Sequence, residues 1–140
     1  MTFRLGAKMT LDELNEHFDN VKELHKAEAL LESLRLAAYP QSAMSGLPKQ
    51  RGAKDKVCDL AVEIAETSEY VDTMKKTVSA GEEKVRCFIA SIPDYQTKLI
   101  ISLRFIRCLR WSQIADVIGG GNSESSVSMI AYRYINYVNS

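Results

Sequence analysis

Apolar residues recur at Leu11, Leu14, Phe18, Val21, Leu24, Leu31, Leu34 and Ala38. Steps of three and four place them on one face of a helix, which predicts a helix over 9–38. Thr10 with Glu13 three residues on forms a candidate capping box at its start. The pattern then breaks in YPQSAMSGLPKQRGA, residues 39–53, where prolines, glycines and serines predict a loop. A second helix is predicted over 54–92. Val57, Ile64, Val71, Val78, Val85 and Ile92 recur every seven residues, with Leu60, Thr67, Met74, Gly81 and Phe88 between them. That is a heptad seam, mostly β-branched in one register. The two helices predict an antiparallel, coiled-coil-like hairpin, or pairing between two chains. Gly81 is a candidate kink, because a glycine inside a helix costs ~1 kcal/mol relative to alanine.

Beyond residue 92 the pattern changes to short helices. Pro93 and Asp94 suit a helix start, and Tyr95, Leu99, Ile100, Leu103 and Ile106 follow at helical spacing. Ser112 is placed to cap the next helix, with Ile114, Ala115, Val117 and Ile118 as its buried face. Three consecutive glycines, Gly119, Gly120 and Gly121, end it. Asn122 or Ser123 then caps a last helix whose apolar residues are Val127, Ile130, Ala131, Tyr134 and Val138. A helix, a glycine turn and a second helix, with the small Ala115 where the two cross, is the pattern of a helix-turn-helix. The expected architecture is therefore all-α: a long hairpin over 1–92 with its loop near 39–53, followed by a small helix-turn-helix domain over 93–140.

Composition narrows the chemistry. The formal net charge is zero, so bulk attraction to nucleic acid or membrane is not indicated. Residues 1–93 hold 13 Lys/Arg against 15 Asp/Glu, whereas residues 94–140 hold 5 against 3, a slight basic tilt. No apolar run has the length of a signal peptide or a membrane span. Cys58, Cys87 and Cys108 are odd in number and scattered, as expected of free thiols in a cytoplasmic protein. His17 and His25 lack partners for a metal site. No nucleophile with its base, paired acid and base or phosphate loop is evident, and Gly-Lys-Ser/Thr does not follow the glycines. Neither an enzyme nor a cofactor is expected.

The outward face of the last helix holds Ser125, Ser128, Met129, Tyr132, Arg133 and Asn136. Serine and asparagine hydrogen-bond base edges or phosphates, arginine does both, and methionine touches a thymine methyl. Arg104, Arg107, Arg110 and Lys98 are candidates for phosphate contacts. The DNA-binding residues expected are Arg107, Arg110, Gln113, Ser125, Ser126, Ser128, Met129, Tyr132 and Arg133. Lys49, Arg51, Lys54 and Lys56 form a second basic cluster, which reads as solvated loop charge or as a contact to polymerase or DNA. Trp111 reads as a lid on the small C-terminal core.

The stretch YQTKLIISLRFIRCLRWSQIADVIGGGNSESSVSMIAYRYI resembles region 4 of sigma-70-type transcription factors, most closely in LRF…LRWSQIADVIG. With MSGLPKQRGAKDKVCDLAVEI, nearly the whole chain resembles sigma-like proteins encoded by phages and prophages of Gram-positive bacteria. The turn is about two residues longer than in ordinary sigma region 4, and Ser128 and Ile130 stand where that family often carries Lys or Arg. The resemblance implies a transcriptional regulator of late phage genes that binds double-stranded DNA, with RNA polymerase as a possible second partner; the heptad seam of the long helices makes a homodimer through them a further possible pairing. The alternative is a protein-binding or assembly module: a polymerase-binding factor without base reading, or a packaging subunit like a small terminase.

Overall fold

The computed structural model describes residues 8–39 and 51–140, with side chains described over 8–39 and 60–140. Five helices follow in order: α1 Leu11–Ala38, α2 Arg51–Ala90, α3 Tyr95–Phe105, α4 Trp111–Ile118 and α5 Glu124–Val138. The fold is all-α, with no strand among the described residues. The loop expected at 39–53 lies largely outside the described residues, as do the side chains of Val57, Cys58 and the basic cluster from Lys49 to Lys56.

Helix boundaries follow the local chemistry. The Thr10 N–H donates to Glu13 Oε1 at 2.9 Å, and the Glu13 N–H donates to Thr10 Oγ1 at 3.2 Å. This reciprocal box satisfies two of the amides that a helix start leaves without partners. At its end α2 tightens: the Ser91 and Ile92 N–H groups donate to Phe88 O and Ile89 O, three residues back. Pro93, without an N–H, follows. Asp94 caps α3, its Oδ2 accepting from the Thr97 N–H at 3.0 Å and the Thr97 hydroxyl at 2.7 Å.

The chain divides into two compact units, Met1–Lys22 with Thr77–Ser140, and Glu23–Lys76. This differs from the boundary at residue 92 that the pattern suggests. The reason is the core: Leu14 and Phe18 of α1 and Val85 and Phe88 of α2 share one buried cluster with Ile100, Ile101, Phe105, Ile114, Val127, Ala131 and Ile135. Helices as short as α3 to α5 expose too much surface to fold around one another alone, so the ends of the long helices complete their core.

In this first unit His17 is buried, and Gly81 lies against it. A Cβ built on Gly81 would stand 2.6 Å from His17 Nδ1. Gly81 is therefore not a break, and α2 continues through it to Ala90. Its hydrogen makes room for an imidazole. In the second unit Leu24, Ala27, Leu31 and Ala38 of α1 and Val71 of α2 are buried. The Tyr70 hydroxyl donates to Glu23 Oε2 at 3.0 Å. The heptad residues Val71, Val78 and Val85 are buried within the single chain, so their burial requires no second copy.

Some apolar positions turn out differently from the pattern. Tyr95 and Val117 are exposed, and Thr97, Ile101 and Phe105 take the buried face of α3. On α4 the buried pair is Ile114 and Ala115. Val117 is three residues from Ile114, but an eight-residue helix packed on one side buries only a narrow stripe.

The C-terminus of α5 is tied back to the start of α1. The Asn139 Nδ2 donates to Met9 O at 2.7 Å and to Ile135 O at 2.8 Å, using both hydrogens of the amide.

Candidate nucleic-acid interface

The site is built from α3, the bend after it, α4 and α5. At the bend, the Ile106 and Arg107 N–H groups both reach back to Ser102 O, and the Leu109 N–H donates to Leu103 O at 3.0 Å. Cys108 takes φ +58°, the left-handed region usually left to glycine. Burial pushes its thiol pKa up, partly opposed by Arg104 and Lys22. Gln113 closes the next helix start: its Oε1 accepts from the Arg110 N–H at 2.9 Å. Arg110 is thus the capping position and α4 opens at Trp111. Ser112 lies inside the first turn and is not the cap.

The three glycines have one shared cause. Gly119, Gly120 and Gly121 have φ of +68°, +64° and +80°. A Cβ at any of them would meet nothing within 4 Å. Crowding is therefore not the reason; φ is positive at three successive residues, and at Gly119, with ψ −155°, the backbone lies in a region that almost only glycine adopts, so an L side chain is strained at each. Asn122 locks the turn, its backbone N–H and its Nδ2 both donating to Gly119 O. Ser123 then caps α5. Its Oγ accepts from the Ser126 N–H at 3.2 Å, and its own N–H donates to Ser126 Oγ at 2.9 Å.

α5 presents two faces. Val127, Ala131 and Ile135 are buried, whereas Ile130, Tyr134 and Val138 are half-buried; Ile135 is not among the inward residues the pattern picks out. Opposite them Ser125, Met129 and Arg133, one turn apart, form an exposed row. Arg107 and Arg110 are exposed in the bend, and Gln113 is exposed on α4.

Four of the residues put forward from the sequence are held by contacts within the protein. Ser126 is committed to the cap of α5 and is half-buried, so its hydroxyl is a structural group. Ser128 is half-buried and its hydroxyl donates to Ser125 O at 3.1 Å. Tyr132 is half-buried, its ring set edge-on to Trp111 with centroids 5.6 Å apart. Arg104, expected at a phosphate, is drawn inward. Its guanidinium carbon lies 4.1 Å from the Phe18 ring centroid and 4.6 Å from that of Trp111. Its Nη1 donates to Leu109 O at 3.1 Å, while Nε is buried without a partner. Burial lowers the guanidinium pKa, yet arginine keeps its charge in proteins. Cation–π contacts contribute ~0.5–1 kcal/mol, and ~2 when desolvated. They work here against ~1–3 kcal/mol for the unsatisfied Nε. Nothing in the sequence marks Arg104 apart from Arg107, since the difference is only which side of a bend each occupies.

Among the described residues no group of three or more His, Cys, Asp or Glu is gathered where a metal would sit. His17 is buried and His25 exposed, so the two do not share an environment. None of the helices searched is long and apolar enough to cross a membrane. In comparison with known proteins, no family model, curated protein or solved structure matches this chain.

Proposed function

We propose that the chain is a DNA-binding transcriptional regulator of the phage sigma region 4-like kind, acting on late gene expression. In this reading α4, the glycine turn and α5 are a helix-turn-helix, and α1 and α2 are the antiparallel hairpin that carries it. The observation that carries the reading is the division of α5: Val127, Ala131 and Ile135 are buried while Ser125, Met129 and Arg133 stand exposed on the other side. A helix held by its inner face, with polar and cationic groups outward, is what a major groove accepts. Arg107 and Arg110 supply phosphate contacts, and Gln113 joins them through the amide nitrogen that its cap leaves over. Base contacts come from Ser125, Met129 and Arg133, with Ser128 and Tyr132 in supporting places beside them.

A second reading is favoured by one observation. Val117, Met129 and Tyr137 are large apolar residues exposed on α4 and α5, and Arg133 is the sole basic residue of α5. That composition also suits a protein partner such as RNA polymerase, or an assembly role resembling a small terminase subunit.

Titration of the full chain with duplex DNA at several salt concentrations tests the first reading. Binding should weaken with salt at a log–log slope of ~0.9 per phosphate contacted. Absence of binding at low salt removes it. Sedimentation addresses the second: a ring of many copies favours packaging, and a monomer or dimer favours regulation.

A further inference from the structure

We propose that Arg104 is a positioning residue for the exposed face of α5, holding Trp111 and Tyr132 in register with Phe18 of α1. The functional consequence rests on reading that face as the DNA-facing one; the mechanical claim does not.

The contacts form a chain across four helices. The Arg104 guanidinium lies over the Phe18 ring of α1 and over the Trp111 ring of α4, and Tyr132 of α5 meets Trp111 edge-on. The Nη1 bond to Leu109 O ties the same group to the bend that carries Arg107 and Arg110. The buried face of α5 is made of Val127, Ala131 and Ile135, whose dispersion contacts depend on distance and little on direction. Close packing already limits rotation by shape. The Asn139 bond to Met9 O and the Tyr134 ring against Phe88 hold the C-terminal half of the helix, and Tyr132 adds a directional contact on the side of the outer row. A cation over a ring, an edge-on aromatic pair and a hydrogen bond are all directional. Tyr132 adjoins Arg133 and lies one turn from Ser128 and Asn136, so holding its ring helps fix the rotation of the outer row.

The cost is visible in Nε, buried and unpartnered. Packing alone would favour an apolar side chain, which leaves no donor unsatisfied. Lysine would keep the charge but not the flat group that lies over two rings. Arginine at this place is explained by the geometry it imposes.

The test uses the full chain with Arg104→Met, which keeps the stem and removes the orphan donor, and Arg104→Lys as a second variant that retains the charge. Phe18→Leu is made in the wild-type and both variant backgrounds, and backbone amide shifts of Tyr132 and Arg133 are recorded. Emission of Trp111, the one tryptophan in the chain, is followed in parallel. Phe18→Leu is expected to move the Tyr132 and Arg133 amides and Trp111 emission when Arg104 is present, and to lose most of that effect in either variant. Equal shifts in all backgrounds, or none in any, overturn the proposal.

A mixed-sequence 30-base-pair duplex supplies the functional arm. Arg104→Met should lower affinity about tenfold, the equivalent of one lost directional contact, with the salt slope unchanged. Unchanged affinity overturns positioning, and so does a slope lowered by ~0.9, which marks Arg104 as a phosphate contact. If the wild-type chain does not bind the duplex, the DNA reading falls and the amide shifts alone decide the proposal.

Discussion

The imidazole of His17 fills the space that a side chain on residue 81 would need, Nδ1 lying 2.6 Å from where a Cβ would stand. A knob on one helix thus meets a residue with no side chain on another. Alanine is favoured over glycine in a helix by ~1 kcal/mol, so propensity alone predicts that Gly81→Ala stabilises. Overpacking a buried site costs ~1–3 kcal/mol, and His17 is too enclosed to swing away. Gly81→Ala should therefore destabilise by about 1 kcal/mol net, and His17→Ala should make the same substitution favourable. Urea unfolding of the two single variants and the double variant measures this. Additive effects would mean the two residues do not meet.

The same burial has a pH signature. Desolvation lowers the pKa of His17 below its ordinary 6.5, with Glu82 partly opposing the shift. The folded state thus holds the imidazole neutral while the unfolded chain accepts a proton. Stability is full above pH 6.5 and falls as the pH drops from there through the lower folded-state pKa. Urea midpoints between pH 7.5 and about 5 should decline in the wild type and flatten over this window in His17→Gln. Glu82→Gln should steepen the decline.

Each glycine of the turn should reject an L side chain yet accept a D one. L-alanine at Gly120 is expected to cost ~1–2 kcal/mol. D-alanine, installed by chemical ligation, should stabilise by ~0.4–1 kcal/mol, because it favours φ > 0 and the surrounding space is open. Calorimetry of the two ligated proteins compares them. Equal effects would place the cause in crowding and not in the backbone.

Asn139 should matter to stability because it ties the end of α5 to the start of α1. Its amide is bonded to Met9 O and Ile135 O. Asn139→Ala should lose ~1–2 kcal/mol and speed hydrogen exchange at the start of α1. Ending the chain at Val138 should do the same.

If the proposed DNA-binding function holds, Arg107→Ala, Arg110→Ala and Arg133→Ala each weaken binding and lower the salt slope by up to ~0.9, depending on whether the residue meets a phosphate. Met129→Ala should change preference among sequences with the slope unaltered, since a thymine methyl carries no charge.

The local pattern determined a great deal by itself. The five helical segments, the Thr10–Glu13 box, the Asp94 cap, the seam of valines and the glycine turn all follow from spacing and side-chain chemistry within a few residues. Such short-range rules need no knowledge of what lies opposite. Only the tertiary structure decided what depends on a partner far along the chain. Gly81 looks like a weakness in a helix until His17 is placed beside it. Arg104 and Arg107 read alike until a bend sends one onto the Phe18 and Trp111 rings and the other to solvent. Nothing in the local pattern points to Asn139 until Met9 meets it. The core of the short helices takes in Leu14, Phe18, Val85 and Phe88 from the long ones. Helix formation is written in periodicity, but burial, close approach and a buried cation's stacking partners arise between residues that sequence distance keeps apart.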